Sequence, residues 1–308
     1  MTTQAKHPKD DEGIRYAVNG WCLPNNNSLQ DIEQSALVGA EAVGLWEGKF
    51  REGEDASLIE ALRQRNMRAG IVMPHHWTIL PTPLDPEGYV DWKTKCDGIC
   101  RSIRRLARFE PVGIMVGPGV SGDPQKRLSP DNVAESLDKI AGAAAECGVR
   151  IAFEPLAMRR GAAISTMPET IALIDSIGRD NIDILLDVWH SWPEPNLHDH
   201  LRTHVDRFVG VQINDVREHE RSWCDRVLPG EGRNVCTPIM ATLLEAGFKG
   251  WFDFEVFSDD GRWGNDFPES LWKLPHDEFL RRGRAAFDRC LNNAQRMSAT
   301  AGQSRSRS

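Results

Sequence analysis

The chain has 308 residues, 40% of them apolar and 27% charged, and a formal net charge of −8. That length buries a sizeable core and suits one large α/β domain or two smaller ones. The acidic balance, with "RSIRRLAR" (101–108) as the one long basic run, excludes an electrostatic footprint for nucleic acid, and no run of about 18 apolar residues is present to span a membrane.

Residues 1–12 are polar and lack the apolar segment of a signal peptide. They read as a flexible lead-in to a cytoplasmic protein. The seven cysteines are odd in number and scattered, which fits reduced thiols in packing positions.

From residue 13 onward, strand-like and helix-like runs alternate. The first strand reads "RYAVNG" (15–20) and is followed by a helix opening on Ser28. "AVGLW" (42–46) precedes "DASLIEALRQRN" (55–66). "AGIVMP" (69–74) precedes the long amphipathic segment 88–109. "PVGIMVG" (111–117) is followed by 129–148, which stops at Gly148. "VRIAFE" (149–154), "DILLD" (183–187), "FVGVQIN" (208–214) and "WFDFEVF" (251–257) complete the strands. Helices over 166–178, 196–208 and 237–247 separate them, and a last helix runs from about 275 to about 297. Several strands are apolar on both faces, as parallel strands covered on both sides are.

Eight such pairs predict an α/β fold of the (β/α)₈ barrel type. It forms a single domain over 13–298 with a C-terminal helical extension, then a disordered tail over 299–308. The stretch after the first strand is not G-x-G-x-x-G, which disfavours a doubly wound dinucleotide fold.

In such a barrel the active site lies at the C-terminal ends of the strands. The fifth strand ends on Glu154 and the sixth on Asp187, with His190 three residues later. The seventh carries Gln212 and Asp215, and the eighth carries Glu255. Acids gathered on one rim repel unless something positive sits among them. Any one of them also has a plain alternative, as an arginine partner or a helix cap. Together, Glu154, Asp187, Gln212 and Glu255 form an oxygen-only donor set that favours Mg²⁺ or Mn²⁺ over Zn²⁺.

This pattern of strand ends resembles the xylose isomerase-like TIM barrels, a family that includes ketose 3-epimerases, inosose dehydratases, apurinic endonucleases and the larger subunit of C-glycoside deglycosidases. The resemblance is good over 149–257 and covers the first half in layout only. It implies a metal held by Glu154, Asp187, Gln212 and Glu255. It implies that Glu154 and Glu255 act as acid and base, with His190 handling a proton or orienting a ligand. It implies that Arg226, before the turn "LPGEG", reaches an anionic or hydroxyl group of substrate. Sugar isomerases and epimerases usually place His where this chain has Gln212, a departure that several dehydratase-type members share.

The chemistry that follows is proton abstraction next to a carbonyl. Beta-elimination would make the protein a lyase acting on a keto-sugar or polyol. Proton return would make it an aldose–ketose isomerase or 3-epimerase, and a third reading is a non-catalytic sugar-binding barrel. Ten tryptophans stand against two tyrosines. Trp21, Trp46, Trp77, Trp189 and Trp192 fall at strand ends, where indoles stack on sugar or aromatic faces. His76 is a further candidate for substrate contact. The expected partners are a small carbohydrate, a small β-sandwich subunit by analogy with deglycosidases, and further copies of the chain, with neither nucleic acid nor membrane.

Overall fold

The computed structural model describes residues 13–305, apart from 86, 87 and 124. The lead-in expected over 1–12 lies outside the described residues. In chain order the strands are β1 (Arg15–Asn19), β2 (Ala42–Gly44), β3 (Arg68–Ala69), β4 (Ile71–Val72), β5 (Gly113–Val116), β6 (Ile151–Phe153), β7 (Ile182–Asp187) and β8 (Phe208–Ile213). A small antiparallel hairpin, β9 (Asp215–Val216) with β10 (Arg226–Val227), precedes β11 (Trp251–Phe254).

The main sheet is parallel and pairs in the order β3-β2-β1-β11-β8-β7-β6-β5-β4. Its two ends are consecutive in the chain, joined through Gly70, so the sheet closes into a barrel of eight staves. The single strand expected over 69–74 is thus divided. A Cβ at position 70 would lie 3.3 Å from the Val43 backbone, and glycine allows the two backbones to approach that closely.

Helices cover the outside: α1 (Ser28–Leu37), α2 (Asp55–Gln64), α3 (Trp92–Leu106), α4 (Val133–Glu146), α5 (Met167–Ile177), the single turn α6 (Val188–Ser191), α7 (Leu197–Thr203), α8 (Cys236–Glu245) and α9 (His276–Arg305). The starts of α1 and α5 are set by capping boxes, Asn27 with Gln30 and Thr166 with Glu169. α3 begins at its cap Asp91, whose carboxylate accepts from Lys93 N and Thr94 N, later than the expected start at 88. α9 stays helical to Arg305, through the first residues of the expected tail, and 306–308 lie outside the described residues. Its Gly283 faces the Phe254 ring, which a Cβ would meet at 2.5 Å, so the helix lies directly on β11. Among the described residues no helix is long and apolar enough to cross a membrane.

A register shift between Ile184 and Leu185 positions the rim. Ile184 pairs with Phe208, but Leu185 pairs with Gly210, so Val209 is an extra residue in β8. The extra residue rotates everything after it. As a result Asp187 stands beside Gln212, not Val211, and Gln212 in turn pairs with Asp253 of β11.

Candidate metal centre and active site

Glu154 and Glu255 each follow the last residue of a stave and are held by ladder hydrogen bonds. Glu154 N donates to Val116 O at 3.0 Å and Glu255 N to Ile213 O at 3.1 Å. Asp187 closes β7 and caps α6, accepting at Oδ1 from Trp189 N at 2.8 Å. Glu154, Asp187, Gln212 and Glu255 are all buried. Gln212 and Glu255 are hydrogen-bonded directly, and Glu255 and Asp187 each accept from a further asparagine. Glu255 Oε1 accepts from Gln212 Nε2 at 2.8 Å and from Asn19 Nδ2 at 3.0 Å. Asn214 Nδ2 donates to Asp187 Oδ1 at 2.7 Å. The four residues expected to share an ion do converge at one end of the barrel.

Arg226 takes a different place from the one its position implied. Its guanidinium is buried among the carboxylates. Nη1 stands 2.9 Å from Asp187 Oδ2 and 2.8 Å from Glu255 Oε2, and Cζ lies 4.5 Å from the Phe257 ring centroid. The hairpin places it there, since Arg226 N donates to Phe257 O at 2.9 Å. In this structure its charge serves the acids of the site.

His190 has one defined tautomer. The Ala157 N–H donates to its Nδ1 at 2.9 Å, so the proton of the neutral ring sits on Nε2. Nε2 faces Asp187 Oδ2 at 3.4 Å and Glu154 Oε1 at 3.7 Å. Ligand atoms of Glu154, Asp187 and His190 lie within 4.8 Å of one another, but a protonated nitrogen has no lone pair to offer a cation. His190 is therefore a hydrogen-bond donor beside the cluster. Burial, then the charges of Arg226, Arg160 and Arg159, hold its pKa well below 6.5, so the ring is neutral at physiological pH.

Burial pushes the carboxyl pKa of Glu154 well above its usual value, and the neighbouring Glu255 and Asp187 add to it. Burial does the same to Glu255, against the opposing charge of Arg226. One arginine does not balance three buried acids. Gln212 spends its amide nitrogen on Glu255, while its Oε1 is buried with no hydrogen-bond partner. Such an atom is costly unless a positive group meets it. An oxygen-rich, acid-heavy cluster with an unsatisfied amide oxygen fits a hard divalent cation.

This has a consequence for stability. In chelator, the protein is expected to unfold more easily as pH rises from about 4.5 toward about 8. Glu154, Glu255 and Asp253 release their protons at higher pH in the folded state than in the unfolded chain, so folding weakens as pH rises above the ordinary carboxylate range. Asp253 is itself raised to about 7, chiefly by burial. His190, whose pKa is lowered by burial, acts in the opposite direction near pH 6.5. Urea melts at about pH 5 and about pH 8 check this. Added Mn²⁺ should abolish the decline, and a flat chelator profile would refute it.

The other expected contacts divide. Trp21 lies at the centre of an aromatic wall, 5.7 Å from Trp46, 5.8 Å from Trp77 and 5.3 Å from Phe257 by ring centroids. Trp189 packs edge-on against His190 at 5.1 Å. Trp192 is turned elsewhere. It sits under Arg233 at 4.9 Å and lines an outer groove of about 330 Å³ with Glu194 and His198. The His76 ring packs toward Gly98 of α3, where a Cβ would meet it at 2.8 Å, and so lies against the helical layer. Asp215, read as a rim donor, instead accepts from the backbone N–H groups of Val216, Gly230, Val235 and Cys236 at 2.9 to 3.2 Å, which orders the turn before α8.

Several site residues escaped the sequence reading. Asn19 ends β1, a signal of the same kind as Asp187. Asp253 is two residues before Glu255, on the same face by strand alternation, and Asn214 is two residues after Gln212. Trp223 and Trp263, stacked at 4.8 Å and 22°, sit in long loops with no periodicity to reveal them.

The profile of the xylose isomerase-like TIM barrel family matches residues 32–282, and the chain belongs to that family. Over 130 residues it is 25% identical to an inosose isomerase of Halalkalibacterium halodurans, covering 41% of this chain and 45% of that protein. It is 26% identical to a D-psicose 3-epimerase of Ruminiclostridium cellulolyticum over 40% of each chain. It is 24% identical to an inosose dehydratase of Lactiplantibacillus plantarum over 43% of this chain and 48% of the relative. The matches thus span about half the length of these relatives or less. Among solved structures, an IolI protein with a bound zinc atom superposes with a TM-score of 0.75 at 17% identity, covering 91% of this chain and 99% of that one. A D-psicose 3-epimerase with D-tagatose from Clostridium cellulolyticum gives 0.72 at 17% identity, with coverage of 91% and 99%. These structural likenesses establish the fold.

Proposed function

We propose that this barrel is a divalent-metal-dependent enzyme that removes a proton from carbon next to a carbonyl of a keto-sugar or related polyol and completes a beta-elimination, as a dehydratase or C-glycoside deglycosidase does. The observation that carries the reading is the buried set Glu154, Asp187, Gln212 and Glu255 with its unsatisfied Gln212 oxygen. Those four residues would hold the metal, Mn²⁺ or Mg²⁺ from the oxygen-only donor set. Bound there, it would supply positive charge for the oxyanion that develops as the proton leaves.

The remaining roles belong to the chain itself. Glu154 and Glu255 come from non-adjacent staves and address a bound sugar from two sides. One takes the carbon-bound proton, and the other, in its protonated form, assists departure of the leaving group. His190 donates from Nε2 to a substrate oxygen between Asp187 and Glu154. The aromatic wall around Trp21 sheds water and stacks on the substrate. The amide at Gln212 and the breadth of that wall favour elimination. In the deglycosidase form the protein would work with a small β-sandwich subunit, and self-association and a cytoplasmic location complete this reading.

A second reading, isomerase or 3-epimerase, is favoured by the psicose epimerase relative and by the same pair of glutamates, which can return the proton as well. The two separate by product. In D₂O with Mn²⁺, ketohexoses, keto-inositols and 3-oxo-glycosides are offered, and the products are followed by NMR and ultraviolet absorbance. Metal-dependent loss of water or of an aglycone is expected. Deuterated epimers alone would give the second reading, and no metal-dependent exchange with any of the three classes would overturn both.

A further inference from the structure

Arg160 lies six residues after Glu154, at the end of a short 3₁₀ turn (Met158–Arg160). The turn is rigid. Gly161 follows at φ +70°, and a Cβ there would collide with Ser121 Oγ and Asp123 O. Gly122 N donates to Arg160 O at 3.0 Å, and Val120 bridges Ala162. The side chain is partly buried, and its Cζ lies 4.6 Å above the Trp223 ring. Trp223 is 5.9 Å from Phe257, the ring that Arg226 covers from the carboxylate cluster. One aromatic surface therefore carries both arginines.

Their partners differ. Arg226 is paired with Asp187 and Glu255. Arg159 is paired with Glu220 at 2.9 Å and donates to Trp189 O. No carboxylate forms an ion pair with Arg160 among the described residues. Glu154 is the acid whose charge reaches Arg160, without an ion pair between them. A divalent cation and Arg226 would engage Glu154, Asp187 and Glu255, while Asp253 accepts from the Asn19 amide, so Arg160 is the cation of the site with no carboxylate in direct contact among the described residues. Leaving such a charge without a counterion is costly. Its pKa falls only to about 10, through burial and then the Arg226 charge, so it remains charged at neutral pH.

We propose that Arg160 is the anion receptor of this site and that the substrate carries a carboxylate; this rests on the carbon-acid reading for the site it serves. A guanidinium offers two parallel N–H donors and one unit of charge, which match a carboxylate. A phosphate dianion calls for further donors, and the "LPGEG" turn does not have the pattern of a phosphate loop. The substrate class is thus a sugar acid or polyol acid, with its carboxylate at Trp223 and its carbonyl end toward Glu154.

D-gluconate and D-glucitol, which differ by one carboxylate, test this on the Mn²⁺-loaded full chain by calorimetry or by quenching of tryptophan fluorescence. Gluconate is expected to bind about 30-fold tighter than glucitol. Arg160→Met should bring the two close to parity without changing glucitol affinity or Mn²⁺ binding. Arg160→Lys should keep part of the preference. Equal affinities in the wild type, or no gluconate binding at about 10 mM, would overturn the proposal. So would a gluconate preference that survives Arg160→Met, since the metal alone would then be drawing the carboxylate. Binding is read without turnover. A preference that depends on Arg160 in a protein lacking metal-dependent proton exchange would retain the anion site and remove the carbon-acid reading.

Discussion

Metal-dependent proton exchange by a Glu255→Gln variant is expected to fall by about 10³-fold or more. Each carboxylate oxygen of Glu255 has a defined duty. Oε1 is held by the amides of Gln212 and Asn19, and Oε2 by Arg226. The substitution keeps the shape but removes both the charge that would face the cation and the lone pair that would accept a proton. It also turns an amide against two amide donors. Single-turnover deuterium exchange at saturating Mn²⁺ is the measurement, with a thermal melt to show that the variant is folded. Exchange within about tenfold of wild type would show that Glu255 neither moves the proton nor matters to the ion.

The second large effect concerns Arg226. In chelator, Arg226→Met is expected to cost about 3–5 kcal/mol of folding stability, because removing one member of a buried charged group strands the others. Asp187 and Glu255 would each lose a contact shorter than 3 Å, with Glu154 close by. The loss should be larger at about pH 8 than at about pH 5, where Glu154 and Glu255 already carry protons and depend less on the guanidinium charge. Divalent cation should restore much of it, since a ligand that binds only the folded state stabilises that state by mass action. Urea titrations with and without Mn²⁺ at the two pH values decide the matter. A variant as stable as wild type in chelator would show that the three acids do not depend on this guanidinium.

Asn19 shows why some of the site was hidden. Its side chain reaches Asp253 and Glu255, 234 and 236 positions away in the chain. At the end of a short apolar run, an asparagine also reads as a turn residue. Trp192 shows the reverse case. It stands five residues beyond Asp187, inside the same apolar and aromatic stretch, yet the turn of α6 carries it round to Arg233. Helical rotation separates neighbours in sequence that a continued strand would have kept on one side.

The alternation of short apolar runs with amphipathic ones is a local property, because each run need only match its own period of two or 3.6 residues. From that alone the sequence determines a barrel of eight staves and places oxygen donors at the ends of the last four. The tertiary structure decided the rest. The extra residue Val209 set Asp187 beside Gln212. The hairpin brought Arg226 in among the acids, the Ala157 N–H chose the tautomer of His190, and the short turn after Glu154 set Arg160 over the Trp223 indole. Each of these depends on register or on a contact between distant segments. Such contacts form only when the barrel closes, and no periodicity along the chain encodes them.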